Sequence, residues 1–255
     1  MIRLSNIVMN RDGREILNVN DLSIAPDKFT VILGHNGSGK STLLNLIARQ
    51  TKPDHGNITY NNRSIRQFSQ RKLAQEIAFL PQQLPPVAGL SVRELVRLGR
   101  YPWRGTLGRW TSSDAQIIQE AMIQTDIANY AEHMTDQLSG GERQRAWVAM
   151  LLAQQAPVLM LDEPTSALDL PHQYELMTLL RQLNRESGKG IIVILHDVNL
   201  AARYADRIVA LKQGKVWLEG KPDELLTSPA LSDLYGINIQ LIDHPTLNHS
   251  IAVVA

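Results

Sequence analysis

The chain has 255 residues, of which 44% are hydrophobic and 20% charged, with a net charge of +1 and no cysteine. That balance suits one large globular domain, or one domain carrying an insertion. It excludes structural disulfides and Cys-bound zinc, and it argues against a partner held mainly through a phosphate backbone, which calls for a stronger basic bias.

At the N-terminus, Met1 to Asn6 lack the basic stretch and apolar run of a secretory signal. No segment reaches the roughly eighteen apolar residues of a membrane-spanning helix. The chain is therefore expected to be soluble alone, with any membrane role exerted through a partner. Residues 2–33 read as strands, ending in the short apolar run Phe29-Thr30-Val31-Ile32-Leu33. Such runs suit parallel strands covered on both faces.

Directly after that run stands Gly34-His35-Asn36-Gly37-Ser38-Gly39-Lys40-Ser41, a match to G-x-x-x-x-G-K-[ST], and residues 41–50 then read as a helix. Glycines let backbone N–H groups turn inward against phosphate, and the following helix adds a partial positive charge at the same place. Lys40 would reach the β- and γ-phosphates of a nucleotide, and the Ser41 hydroxyl would ligate Mg²⁺. Kinases, GTPases and motor ATPases all use this cradle, so it does not name the reaction.

Residues 84–154 carry no strand pattern. Pro85-Pro86 stand near their start, and Ile117, Ile118, Ala121 and Met122 form a helical stripe, so a helical insertion into an α/β core is expected. Within it, Arg97, Arg100, Arg104 and Arg109 alternate with Tyr101, Trp103 and Trp110. This mixture suits packing or a protein interface, since Arg, Trp and Tyr are favoured at binding hot spots. A nucleic-acid surface is the less favoured alternative.

Val158-Leu159-Met160-Leu161 is a buried strand ending in Asp162-Glu163. Ligands of open α/β sheets lie beyond strand carboxyl ends. Asp162 is placed to hold Mg²⁺ through water, and Glu163 to act on an attacking water as general base or orienting acceptor. A helix follows over 172–187, with Asp169 and Pro171 as its start signals, then the strand at 191–195 ending at His196, which would contact the γ-phosphate. Strand, helix, strand in this order implies a parallel sheet with crossover helices. The tail after Pro222 mixes two short helical runs with a weak strand, and a packing helix pair is the simplest expectation for it.

Ser139-Gly140-Gly141 ahead of a helix makes a second anion cradle. With its neighbours it reads Leu138-Ser139-Gly140-Gly141-Glu142-Arg143-Gln144, which resembles the signature of the ABC ATPases. Gln82 resembles their Q-loop glutamine, Asp162-Glu163 the end of Walker B, Ser166-Ala167-Leu168-Asp169 the D-loop, and His196 the switch histidine. The resemblance covers residues 2–220.

It implies a P-loop α/β ATPase core, a mostly parallel sheet plus N-terminal antiparallel strands, spanning 2–240. The helical subdomain is inserted at 84–154, and 222–255 form a C-terminal tail. ATP would be held by Gly34, His35, Asn36, Gly37, Ser38, Gly39, Lys40, Ser41, Thr42 and Gln82, and by Ser139 and Gly141 of a second copy in a head-to-tail homodimer. Mg²⁺ would sit on Ser41, Gln82 and Asp162, and Glu163 and His196 would be catalytic. Where many members place an aromatic against adenine, this chain has Arg11, whose guanidinium plane can also stack.

Within the family, the segments Leu80 to Pro86, Gly99 to Trp103 and Gly141 to Trp147 resemble the ATPases of ferric hydroxamate siderophore importers of Gram-negative bacteria. That implies a peripheral subunit on the cytoplasmic face of the inner membrane, bound to permease subunits and served by a periplasmic binding protein, with no nucleic-acid partner. Cargo of another iron chelate, haem or cobalamin, a cassette ATPase outside transport, and a nucleotide sensor without turnover are the alternatives.

Overall fold

The computed structural model describes residues 1–85, 87, 89–105, 108–243 and 250–255. Pro86 of the expected proline pair lies outside them. Contacts divide the chain into two compact units, residues 1–67 with 190–255, and residues 68–189.

The first unit opens with β1 (Ile2–Arg11), β2 (Arg14–Ile24), β3 (Phe29–Leu33), α1 (Lys40–Ile47), β4 (His55–Tyr60) and β5 (Arg63–Ser64). The second unit runs α2 (Gln70–Glu76), β6 (Ile77–Leu80), α3 (Val92–Leu98), α4 (Tyr101–Arg104), α5 (Ser112–Gln124), α6 (Gly140–Ala153), β7 (Val158–Asp162) and α7 (Leu170–Ser187). The chain then completes the first unit with β8 (Gly190–Ile194), α8 (Val198–Tyr204), β9 (Arg207–Lys212), β10 (Lys215–Gly220), α9 (Pro222–Leu225), α10 (Ser228–Tyr235), β11 (Ile239–Asp243) and β12 (Ser250–Val254).

In the first unit, β2, β1, β4 and β5 form an antiparallel sheet in that order. Strand β3 is buried along its whole length and lies parallel to both β8 and β9, with β10 antiparallel at the edge. Its apolar residues on both faces are what a central parallel strand requires. Each such side chain contributes about 1.5–3 kcal/mol by leaving water. In the second unit β6 and β7 are parallel neighbours, with Leu80 opposite Leu161. Both strands therefore release their chains at the same end, one into Pro81-Gln82 and the other into Glu163.

Helix boundaries follow local chemistry. Ser91 and Thr111 open α3 and α5 with capping boxes closed by Glu94 and Asp114. Asp169 caps α7 through the His172 N–H, with Pro171 in its first turn, and Gly188 ends the helix in the left-handed conformation. The helices expected between 84 and 154 run from Val92 to Ala153. Strands β4, β5, β6, β9 and β10 went unread in the sequence. The tail forms the two short helices expected after Pro222, α9 and α10, followed by the paired strands β11 and β12.

Candidate nucleotide site

Within the first unit, β3 ends at Leu33 and the chain turns through Gly34 to Gly39 into α1. Gly34 has φ +147°, and a Cβ there would collide with the Leu211 carbonyl and stand 2.5 Å from Ser38 Oγ. Gly39 caps α1 at φ +98°, and no side chain bonds to the helix N-terminus. The N-terminus of α1 thus directs its partial positive charge toward the loop. Ser38 Oγ is buried without a hydrogen-bond partner, a polar atom that a bound anion would satisfy. Lys40 is only 5% exposed, and its Nζ donates to the carbonyls of Gly34 at 2.8 Å and His35 at 3.1 Å. Ser41 and Thr42 follow, half-buried, in the first turn of α1. The loop fits a polyphosphate.

His196 stands exposed just after β8. The next residue, Asp197, caps α8 by accepting from the Asn199 and Leu200 amides at 2.7 and 3.2 Å. Arg11 is exposed where β1 turns through Asp12 and Gly13 into β2.

Within the second unit, the parallel pairing of β6 and β7 brings Gln82 to Glu163. The Gln82 Nε2 donates to Glu163 Oε2 at 2.6 Å. Glu163 holds φ +49°, left-handed for a residue with a side chain, a conformation that costs on the order of 1 kcal/mol or more. Its carbonyl is held by Ser166, whose hydroxyl donates at 3.0 Å and whose amide donates at 3.2 Å. Asp162 completes β7 and is 4% exposed. A cavity of about 410 Å³ is lined by Gln82, Asp162, Glu163, Ser166, Gly140 and Arg143.

Ser139 opens α6 with a capping box. Its Oγ accepts from the Glu142 amide at 3.3 Å, and its own amide donates to Glu142 Oε2 at 2.8 Å. The hydroxyl acts as an acceptor within the box and also bonds the Glu142 carboxylate. Hydrogen bonds from the Tyr130 hydroxyl and then from Ser139 hold the Glu142 carboxyl down to about 2. A Cβ on Gly141 would stand 3.2 Å from the His172 imidazole, whose Nδ1 bonds the Asp169 carboxylate. The sequence reading missed both Tyr130 and His172. The Ser-x-x-Glu spacing at 139 and 142 was a legible capping signal; Tyr130 had none.

The basic-aromatic stretch is tied up internally. Arg100 and Asp114 form an ion pair at 3.0 Å with side chains 5% and 0% exposed, and Arg104 joins Asp114 at 2.7 Å. Burial opposes the Asp114 charge, yet bonds from Arg104, Thr111 and Arg100 hold it far below the usual carboxylate range. Trp103 Nε1 donates to Gln154 O at 2.8 Å, and the Arg97 guanidinium lies 3.9 Å over the Trp110 ring. Among the described residues, no helix is long and apolar enough to cross a membrane.

Comparison with known proteins gives the same outline. The family model described as ABC transporter matches residues 17–166. The chain is 42% identical over 233 residues to the achromobactin transport ATP-binding protein CbrD of Dickeya dadantii, covering 91% of this chain and 87% of the relative. It is 40% identical over 240 residues to the iron(3+)-hydroxamate import ATP-binding protein FhuC of Bacillus subtilis, covering 94% and 89%. Among solved structures it is similar to a metal-chelate type ABC transporter in an inward-facing conformation, at a TM-score of 0.87, 25% identity, and coverage of 100% and 97%. It is also similar to the dimeric post-hydrolysis cassette MJ0796 bound to ADP and Pi, at a TM-score of 0.77, 33% identity, and coverage of 87% and 99%.

Proposed function

The chain belongs to the ABC transporter family as an ATP-binding, ATP-hydrolysing subunit, and on that premise we propose that it powers an importer for iron-siderophore chelates. The observation that carries the catalytic assignment is the Glu163 carboxylate, oriented by Gln82 and fixed through its carbonyl by Ser166. Glu163 takes or orients the proton of the attacking water. Lys40 and the backbone amides from Gly34 to Thr42 hold the nucleotide's phosphates. His196 contacts the γ-phosphate.

Ser41, Gln82 and Asp162 are hard oxygen donors of the kind Mg²⁺ selects. The ion, if bound there, would supply charge that neutralises the nucleotide's phosphates. A second copy contributes Ser139 and Gly141 as the lid of the site; the dimeric state of the ADP- and Pi-bound relative supports this. Arg11 stacks on the adenine.

The subunit works at the cytoplasmic face of the membrane on permease subunits, which a periplasmic binding protein supplies. The siderophore cargo, hydroxamate type included, rests on the names of the relatives, because no residue of this chain need touch it. Steady-state ATPase of Glu163→Gln tests the catalytic role. Turnover falls by at least about a hundredfold, and unchanged turnover refutes the role. Uptake of radiolabelled ferric siderophore by cells carrying only Glu163→Gln falls to background, whereas loss of haem uptake with siderophore uptake intact overturns the cargo.

A further inference from the structure

The family match ends at residue 166, and none of the motifs assigned above lies in residues 222–255. Those residues nevertheless converge on the helix that begins directly after His196. Asn199, in the first turn of α8, is bonded twice to Ala252 of β12. Its Nδ2 donates to Ala252 O at 3.2 Å, and its Oδ1 accepts from Ala252 N at 2.8 Å. The side-chain amide thus pairs with the terminal strand as a neighbouring strand would, while Ala252 faces Leu241 across the hairpin.

The hairpin is itself anchored. Ser232 Oγ accepts from the Ile239 amide at 2.9 Å, and Ser228 Oγ from the Leu241 amide at 3.0 Å, tying β11 to α10. Lys212, at the end of β9, meets Asp233 of α10 at 2.8 Å. Tyr235, the last residue of α10, has its hydroxyl buried without a hydrogen-bond partner. Burial first, and the carboxylate of Asp197 second, push it up to about 12. Asp197 is the N-cap of α8 and the immediate neighbour of His196. The tail therefore meets the first turn of α8 through the paired bonds of Asn199.

We propose that the C-terminal tail positions the switch histidine, with Asn199 as the positioning residue that clips α8 to β12. The clip fixes the backbone leaving His196, so the rate of the chemical step depends on the tail while nucleotide affinity, set by the loop before α1, does not. This inference rests on the reading of His196 as a phosphate-contacting residue. The tail thereby gains a role beyond packing: whatever displaces β12 slows hydrolysis.

The test is a kinetic split in the full-length protein. Asn199→Ala lowers kcat on the order of tenfold, as expected when a catalytic group loses its positioning, and leaves KM for ATP within about twofold. Ala252→Pro deletes the N–H that Asn199 accepts and leaves α8 untouched; it gives the same split, and carries the test if Asn199→Ala fails to fold. Adding Asn199→Ala to His196→Ala produces no further loss. Unchanged kcat in both clip variants overturns the proposal, as does an equal loss in the His196→Ala background. If His196→Ala by itself retains full turnover, the underlying reading of the histidine fails instead.

Discussion

The Gln82 side-chain amide donates to the Glu163 carboxylate at 2.6 Å, joining two loops that leave adjacent parallel strands. The contact holds the carboxylate proposed as general base in one orientation, and Ser166 fixes the backbone behind it. Removing either support leaves the carboxylate in place but free to turn. Gln82→Ala is expected to lower kcat about tenfold through lost positioning of the carboxylate, and to weaken MgATP binding as well because Gln82 is also a proposed Mg²⁺ donor. Ser166→Ala, which removes one neutral hydrogen bond of about 1 kcal/mol, has a smaller effect in the same direction. A change confined to KM would contradict this reading of the pair.

The cradle before α1 tolerates no side chain at Gly34, where a Cβ meets the Leu211 carbonyl and Ser38. Gly34→Ala is expected to reduce ATP affinity by more than about a hundredfold and to destabilise the fold by about 1–3 kcal/mol, the usual cost of forcing a strained backbone. Arg11→Ala, on an exposed turn, weakens ATP binding by less than the loop change does. Equilibrium binding of a fluorescent ATP analogue ranks the two, and no effect of Arg11→Ala removes adenine stacking.

The buried Arg100–Asp114 pair ties the start of α4 to the first turn of α5. Asp114→Ala strands a guanidinium in the interior and is expected to cost about 3–5 kcal/mol, visible as a large fall in Tm. Arg97→Ala removes only an exposed stacking contact and shifts Tm little. Equal shifts for the two would show that burial does not govern this cluster.

Glu142 gives a pH prediction. Its folded-state value, about 2, lies below its ordinary 4.5. Its contribution to stability is therefore complete above about pH 4.5 and is lost as pH falls through about 2. Tyr130→Phe removes the largest cause, so the Glu142 carboxyl titrates closer to its ordinary value. The stability gap to the parent is constant at neutral pH and closes as pH falls toward 2. Side-chain carboxyl NMR follows the first effect and thermal melting at each pH the second; an unmoved titration midpoint would contradict the Tyr130 bond.

What was legible in the sequence was local. The apolar run 29–33 meeting a glycine loop, the acids closing 158–163, and Asp169 with Pro171 opening α7 all declare themselves within a few residues, because strand burial, loop geometry and capping are short-range effects. What was not legible depended on pairing between distant segments. Gln82 and Glu163 are 81 residues apart and meet only because β6 and β7 are neighbours. The four residues Ile77–Leu80 follow a helix too closely to announce a strand. The tail hairpin is two short strands that pair with each other and are held by side chains of Ser228, Ser232 and Asn199, so neither shows the continuous burial that marks β3. Tyr130 sits in a single 3₁₀ turn, where no periodicity points its hydroxyl at Glu142.

The proposed mechanism turns on a second copy of this chain completing the hydrolytic site. Light scattering of full-length Glu163→Gln with Mg-ATP tests it most directly. The expected result is a dimer that reverts to monomer when Gly141→Asp is added to the same chain. A monomer with ATP, or a dimer indifferent to position 141, would contradict it.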